Sequence, residues 1–316
     1  MQISILKRLF MRNSILTSSA LFFLLHLSAQ RLEPVEINNT WLASIEKLAS
    51  SETRIPTENK RKILVFSKAT GFDHWTIPHN NEMLKILAKK TDAFEIHIGY
   101  DVTNFSASYL DGFDAVVLNN SNPKGPKRDL FYDLLKANSS MSEEAITEAA
   151  AGYEDNLMEY VKNGGGLMLL HGAITVQNNS EKFSEMTGGS FDYHPKQQKM
   201  HVKEVDPEHP LVEAFKGDGF EHVDEPYLFK NAYFDYNFRP LLYVDTTKLE
   251  GLKKEVKNTT NYVSWIKKYG EGRVFYTSAS HNAQSLENSE FLQYLLDGMQ
   301  YVVGDLECDD SPIDQP

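Results

Sequence analysis

A single cysteine, Cys308, stands in 316 residues. The chain can therefore build neither an internal disulfide framework nor a CxxC zinc or redox motif. Basic residues are outnumbered: 32 Lys and Arg against 44 Asp and Glu leave a net charge of −12. With no basic stripe to offset it, that balance argues against nucleic acid or an anionic lipid surface as partner. No two histidines show a HExxH-like spacing, so any metal site must be assembled from distant loops. A GxxxxGK[ST] phosphate loop is also missing. Gly164-Gly165-Gly166 precedes an apolar run where a phosphate loop would follow one, and it reads as a helix stop. No nucleotide cofactor is indicated. Glycine and proline show no collagen-like or low-complexity period, and there is no internal repeat.

What remains has globular proportions, 41% hydrophobic and 24% charged. The N-terminal segment differs from the rest. Lys7, Arg8 and Arg12 precede the apolar run Ile15 to Leu27, which ends in Ser28-Ala29-Gln30. A basic start, a short apolar centre and a small residue at the end read as a secretory signal over residues 1–29, with export to the periplasm or medium expected. Ser residues and His26 make the run a poor membrane span; an uncleaved anchor is the other reading. Residues 30–61 are polar, with a helical pattern from Trp41 to Leu48, and read as an arm preceding the domain.

From Lys62 onward short apolar runs alternate with helical stretches. Ile63-Leu64-Val65-Phe66, Ala115-Val116-Val117-Leu118 and Leu167-Met168-Leu169-Leu170 have the look of strands buried on both faces, and Phe94 to Tyr100 is another strand. Ile77 to Lys90 and the segment around Leu157 to Val161 have helical spacing. Residues 125–150 read as polar, helical and peripheral. Val202 to Val205 and Arg273 to Tyr276 read as later strands, Phe291 to Val302 as a closing helix. Strand, loop and helix in succession predict an α/β fold with right-handed crossovers and a mostly parallel sheet covered on both faces. The domain spans 62–303, and residues 304–316 read as a solvated tail.

In such sheets ligands gather at the carboxyl ends of the strands. That rule selects Gly71 to His74, Asn119 to Asn122 and His171-Gly172. Seven of the ten histidines read as lying in loops or at strand ends: His74, His79, His171, His194, His209, His222 and His281. Imidazole can ligate a metal or move a proton near neutral pH, and carboxylates such as Asp224 and Glu225 can complete a metal shell or orient a ring. For any one histidine, a structural role is the competing reading, and His97 and His209 are assigned to it. His171 follows an apolar strand and precedes Gly172, where a sharp turn would expose it at the sheet edge. Hydrolases and amidotransferases often place a Ser or Cys nucleophile at such an elbow; imidazole there suits proton transfer or metal ligation instead. Trp75, Tyr227, Trp265 and Tyr276 lie near these loops, suited to sugar stacking or to the core.

Taken together, several segments resemble the ThuA-like (trehalose-utilisation) proteins. They are Lys62 to Lys68 with Gly71-Phe72-Asp73-His74, Gly164 to His171, and Gly188-Gly189 with Phe191 and His194-Pro195. Asp206 with His209-Pro210, Asp224-Glu225-Pro226-Tyr227 and Tyr269 to Thr277 with His281 complete the series. The resemblance implies a flavodoxin-like three-layer sandwich, similar to the class I glutamine amidotransferase-like domain; the absence of a Cys at the His171 elbow counts against glutamine amidotransferase activity. It also implies a role in carbohydrate metabolism, on 3-keto-glycosides or disaccharides, with a non-catalytic sugar-binding module as the alternative. On that reading His171, Glu225 and His281 are the catalytic residues and the ligands of a divalent metal such as zinc. His74, Asn119, His194, Asp224 and Tyr227 contact or orient the sugar. A small sugar is the expected partner; a stable membrane span is not expected, and homo-oligomer formation is compatible with the reading. In that family a glycine often precedes the last histidine; here Ser280 stands there.

Overall fold

The computed structural model describes residues 32–313 apart from 254, 255 and 257. The signal reading of residues 1–29 lies outside the described residues. The described part of the arm carries helix α1 (Asn39–Leu48), which buries Trp41 and Ile45 in the core beside α2 (Ile77–Thr91). β1 (Arg61–Phe66) pairs in parallel with β2 (Phe94–Gly99) on one side and β3 (Ala115–Asn119) on the other. α3 (Ala107–Leu110), α4 (Leu130–Asn138) and α5 (Glu143–Lys162) lead to β4 (Gly166–Leu170). Beyond α6 (Glu181–Thr187) come β5 (Ser190–Tyr193), β6 (Gln198–Glu204), β7 (Phe220–Asp224), β8 (Leu228–Lys230), β9 (Arg239–Asp245), β10 (Thr260–Tyr269), β11 (Gly272–Thr277) and α7 (Ser289–Val302).

The main sheet has nine strands in the order β2-β1-β3-β4-β11-β10-β9-β6-β7. The first five are mutually parallel and follow the flavodoxin-like order. The last four extend it by antiparallel pairing. A separate ribbon joins β5 to β8. Strand alternation sends Ile63, Val65, Val117, Met168 and Phe275 to one face, under α1, α2 and α7. Leu64, Phe66, Val116, Leu169 and Tyr276 go to the other, under α4, α5 and α6. Two apolar layers around one sheet make the three-layer sandwich.

Three expectations change. The stretch 125–150 is not peripheral throughout, because α4 drives Leu130, Phe131 and Leu134 into the core. His79 lies within α2 and His222 within β7. The chain after 303 folds back: Leu306 is buried, Asp309 pairs with Arg239 at 3.2 Å, and the Tyr301 hydroxyl donates to Asp310.

Candidate functional site

The parallel strands end in backbone turns that aim their side chains at one place. At the end of β4 the chain turns at His171 with φ +45°. A β-carbon on Gly172 would lie 2.9 Å from the His74 ring, so glycine is what lets that imidazole approach. Asn120, after β3, has φ +52°. Its side chain accepts from the Gly172 N–H and donates to the Ser280 carbonyl, tying three strand ends together. Ser280, after β11, has φ +94°. The sharp turn expected at His171 is present, but the residue is fully buried where an exposed edge position was expected. It forms the floor of the site.

Asp224 does the joining from the antiparallel side. Its carboxylate accepts the backbone N–H groups of Glu225 at 2.7 Å, Ser280 at 3.2 Å and His281 at 3.3 Å. This staple brings the end of β7 against the exit of β11 and so places Glu225 beside His281. Glu225 Oε2 lies 3.3 Å from His281 Nδ1, 3.5 Å from His171 Nε2 and 3.6 Å from His194 Nε2. His281 Nδ1 is 3.1 Å from His171 Nε2, while His171 Nδ1 is 2.6 Å from the Ser278 carbonyl oxygen. The nitrogens of His74, His171 and His281 all come within 4.8 Å of one another.

Electrostatics follow from burial and neighbours. Burial, helped by the His171 and His281 rings, holds His74 well below its ordinary pKa, so its imidazole is neutral. Burial also opposes charge on His171, but the hydrogen bond its ring donates to Glu225 and the charges of Asp224 and Glu225 outweigh it and raise its pKa. For Glu225, burial favours the neutral acid, yet hydrogen bonds to His171 and His281 keep it ionised far below the usual carboxylate range.

A cleft of about 570 Å³ opens over this floor. Glu225, His74 and His194 line it, together with Tyr227, Phe72, Phe191, Lys124 and Arg128. The Tyr227 ring lies 4.4 Å from that of His171 and stacks on His194, and Phe72, 59% exposed, stacks over His281. Of the sequence-selected residues, Asn119 stands apart. It is fully buried, and its amide is spent on Ser67, Ile77 and Asn81 on one side and Asn80 on the other. It braces the loops behind the site without lining the cleft. His209 caps the turn at Leu211 and meets the Asp309 carbonyl, as a structural histidine. Trp265 and Tyr276 are core residues. Sequence reasoning did not single out Asn120, Phe72, Lys124 or Arg128 individually; strand-end position is the signal that reaches Asn120.

The group that comes close enough to share one ion is His74, His171 and His281, with His74 where Glu225 was expected; three imidazoles are a donor set that zinc and related divalent ions take. The Ser278 carbonyl already orients the His171 ring through its other nitrogen. The residues therefore fit such an ion.

Comparison with known proteins bears on the fold and the lineage. A family model described as trehalose utilisation, ThuA, matches residues 62–302. A putative ThuA-like protein of Bacteroides uniformis superposes with a TM-score of 0.57 at 16% identity, covering 85% of this chain and 95% of its own. Another, from Parabacteroides merdae, gives 0.55 at 17% identity, covering 78% and 91%. No match to a curated protein was found.

Proposed function

The chain belongs to the ThuA trehalose-utilisation family, and from that premise we propose that the cleft processes an oxidised, 3-keto glycoside or disaccharide. One observation carries this reading: an ionised carboxylate, Glu225, held within 3.6 Å of three imidazoles beneath an aromatic-walled cleft. A keto group acidifies the neighbouring C–H. Glu225, 12% exposed at its side chain, takes that proton. The C–H electron pair moves into the adjacent carbon–carbon bond as the keto oxygen gains charge. Its return expels the glycosidic oxygen on the next carbon, which leaves as an alcohol after taking a proton from His194 or from protonated Glu225. His74, His171 and His281 would hold a divalent ion, which when bound supplies positive charge for the developing oxyanion. Phe72 and Phe191 offer ring faces to the sugar, buried Tyr227 backs the His171 and His194 rings, and Asp224 keeps Glu225 and His281 in register.

We place this chemistry outside the cytoplasm, on the reading of residues 1–29 as a secretory signal; N-terminal sequencing of exported protein tests that. The reaction is tested by elemental analysis followed by assay of a 3-keto disaccharide with and without chelator, beside His171→Ala and Glu225→Gln. Both variants should lose turnover by at least about 100-fold and keep their circular dichroism. Unchanged turnover in both would sink the mechanism, and saturable heat without product would make the cleft a sugar-binding module.

A further inference from the structure

The loop Asn122 to Arg128 forms one rim of the cleft and carries three cations, Lys124, Lys127 and Arg128, in a chain of net charge −12. Their surroundings differ. Lys127 pairs with Glu143 at 2.9 Å and sits over the Tyr132 ring. Lys124 and Arg128, the two that line the cleft, are exposed and hold no ion pair among the described residues. Arg54, Arg61 and Arg239 each hold two carboxylates; Arg128, which faces the cleft, holds none among the described residues. The nearby Asp133 is diverted: its carboxylate accepts from the Thr70 hydroxyl and the Lys124 backbone N–H.

The rim is also built to keep its shape. Arg128 has φ +52°, a left-handed conformation rare for a residue with a β-carbon. Its carbonyl accepts from the Asn178 N–H, and the Asn179 amide donates to the carbonyls of Pro126 and Lys127. Strain held in place by surrounding hydrogen bonds is characteristic of positions that hold a side chain for use.

We propose that the substrate carries an oxyanion, a carboxylate or a phosphate, seated on Lys124 and Arg128 at this rim. A guanidinium and an ammonium left without internal partners supply the fork and the point charge that such groups accept. The proposal deepens the sugar reading and rests on it for the body of the ligand. It narrows the substrate class to acidic or phosphorylated sugars.

The test is calorimetric titration of the full chain with D-glucose, D-gluconate, D-glucose 6-phosphate and inorganic phosphate. Wild type, the double variant K124Q/R128Q and the control K127Q are compared, and zinc binding is measured on each. At least one charged sugar should bind roughly tenfold or more tightly than glucose. The double variant should lose that preference to within about twofold, and zinc affinity should stay unchanged in all three proteins. Gluconate against glucose 6-phosphate decides between carboxylate and phosphate. Equal binding of glucose and both anions, or an undiminished preference in K124Q/R128Q, overturns the anion seat while leaving the sugar reading standing. Phosphate bound through the two cations with no gain from a sugar body would support the seat and remove the sugar.

Discussion

The two ends of the parallel sheet each carry a cleft of similar size, about 530 Å³ at the amino ends and about 570 Å³ at the carboxyl ends. At the amino ends Arg61 holds both Asp114 and Asp305. The left-handed backbone positions there fall on Gly164, Gly270 and Gly304, and on Asp92 where it ends α2 before β2. At the carboxyl ends the same conformation falls on Asn120, His171 and Ser280, and the imidazoles are buried against one carboxylate. Cleft volume therefore does not distinguish a site from a groove. What marks the carboxyl end is that its left-handed residues, Asn120, His171 and Ser280, enter one shared hydrogen-bond network across the strand ends.

The largest break in this contrast should come from Asp224→Asn. An amide in place of the carboxylate turns an NH₂ toward backbone donors and removes charge from three buried hydrogen bonds. Urea unfolding should show a loss of about 3 kcal/mol. Zinc affinity should fall by roughly 10- to 100-fold, as for lost outer-shell support. A fully stable variant with intact zinc binding would show that the two strand ends meet without the staple.

At the other end, Gly164→Ala should cost about 1.5 kcal/mol through its φ of +113° alone. The nearest atom to an added β-carbon is Glu271 Cβ at 4.0 Å, so sterics contribute little. Arg61→Met, which removes a half-exposed ion network, should cost about 1 kcal/mol. Neither change should move zinc affinity. A shift in either would mean that the amino-end groove is coupled to the site and that the contrast is false.

The same division explains what could be read in advance. The parallel half was legible because strands buried on both faces appear as apolar runs, Ile63 to Phe66, Ala115 to Leu118 and Leu167 to Leu170. The antiparallel half largely was not. β6 reads Gln-Lys-Met-His-Val-Lys-Glu, with one face buried and one wet, and β7 at the sheet edge reads Phe-Glu-His-Val-Asp. β10 buries polar residues such as Asn261, Ser264 and Lys267, which masks a ten-residue strand. In the site, strand-end position pointed to His74 and His171, and the placement of histidines in loops to His281. It also selected Asn119, because position along a strand does not say which way a side chain is used, and here the amide is consumed behind the cleft. The rim cations were beyond reach for a similar reason. Lys124, Lys127 and Arg128 are equivalent as letters, and only Glu143, on a helix that follows, separates the paired one from the others.

The smallest effect sharpens the comparison most, because its sign is opposite. Ser280 occupies φ +94°, where a β-carbon is disfavoured by roughly 1–2 kcal/mol. Ser280→Gly removes that strain but gives the unfolded chain more freedom, a cost of about 0.5–1 kcal/mol. The hydroxyl contributes little, since its contact with Asn80 is 3.5 Å long, while the backbone N–H to Asp224 and the carbonyl to Thr76 and Asn120 survive in glycine. The net expectation is a gain of about 0.5 kcal/mol in urea unfolding, where Gly164→Ala loses stability. If Ser280→Gly instead destabilises the protein, the serine hydroxyl holds the turn, and the strain at this end of the sheet is a by-product of packing with no link to the site.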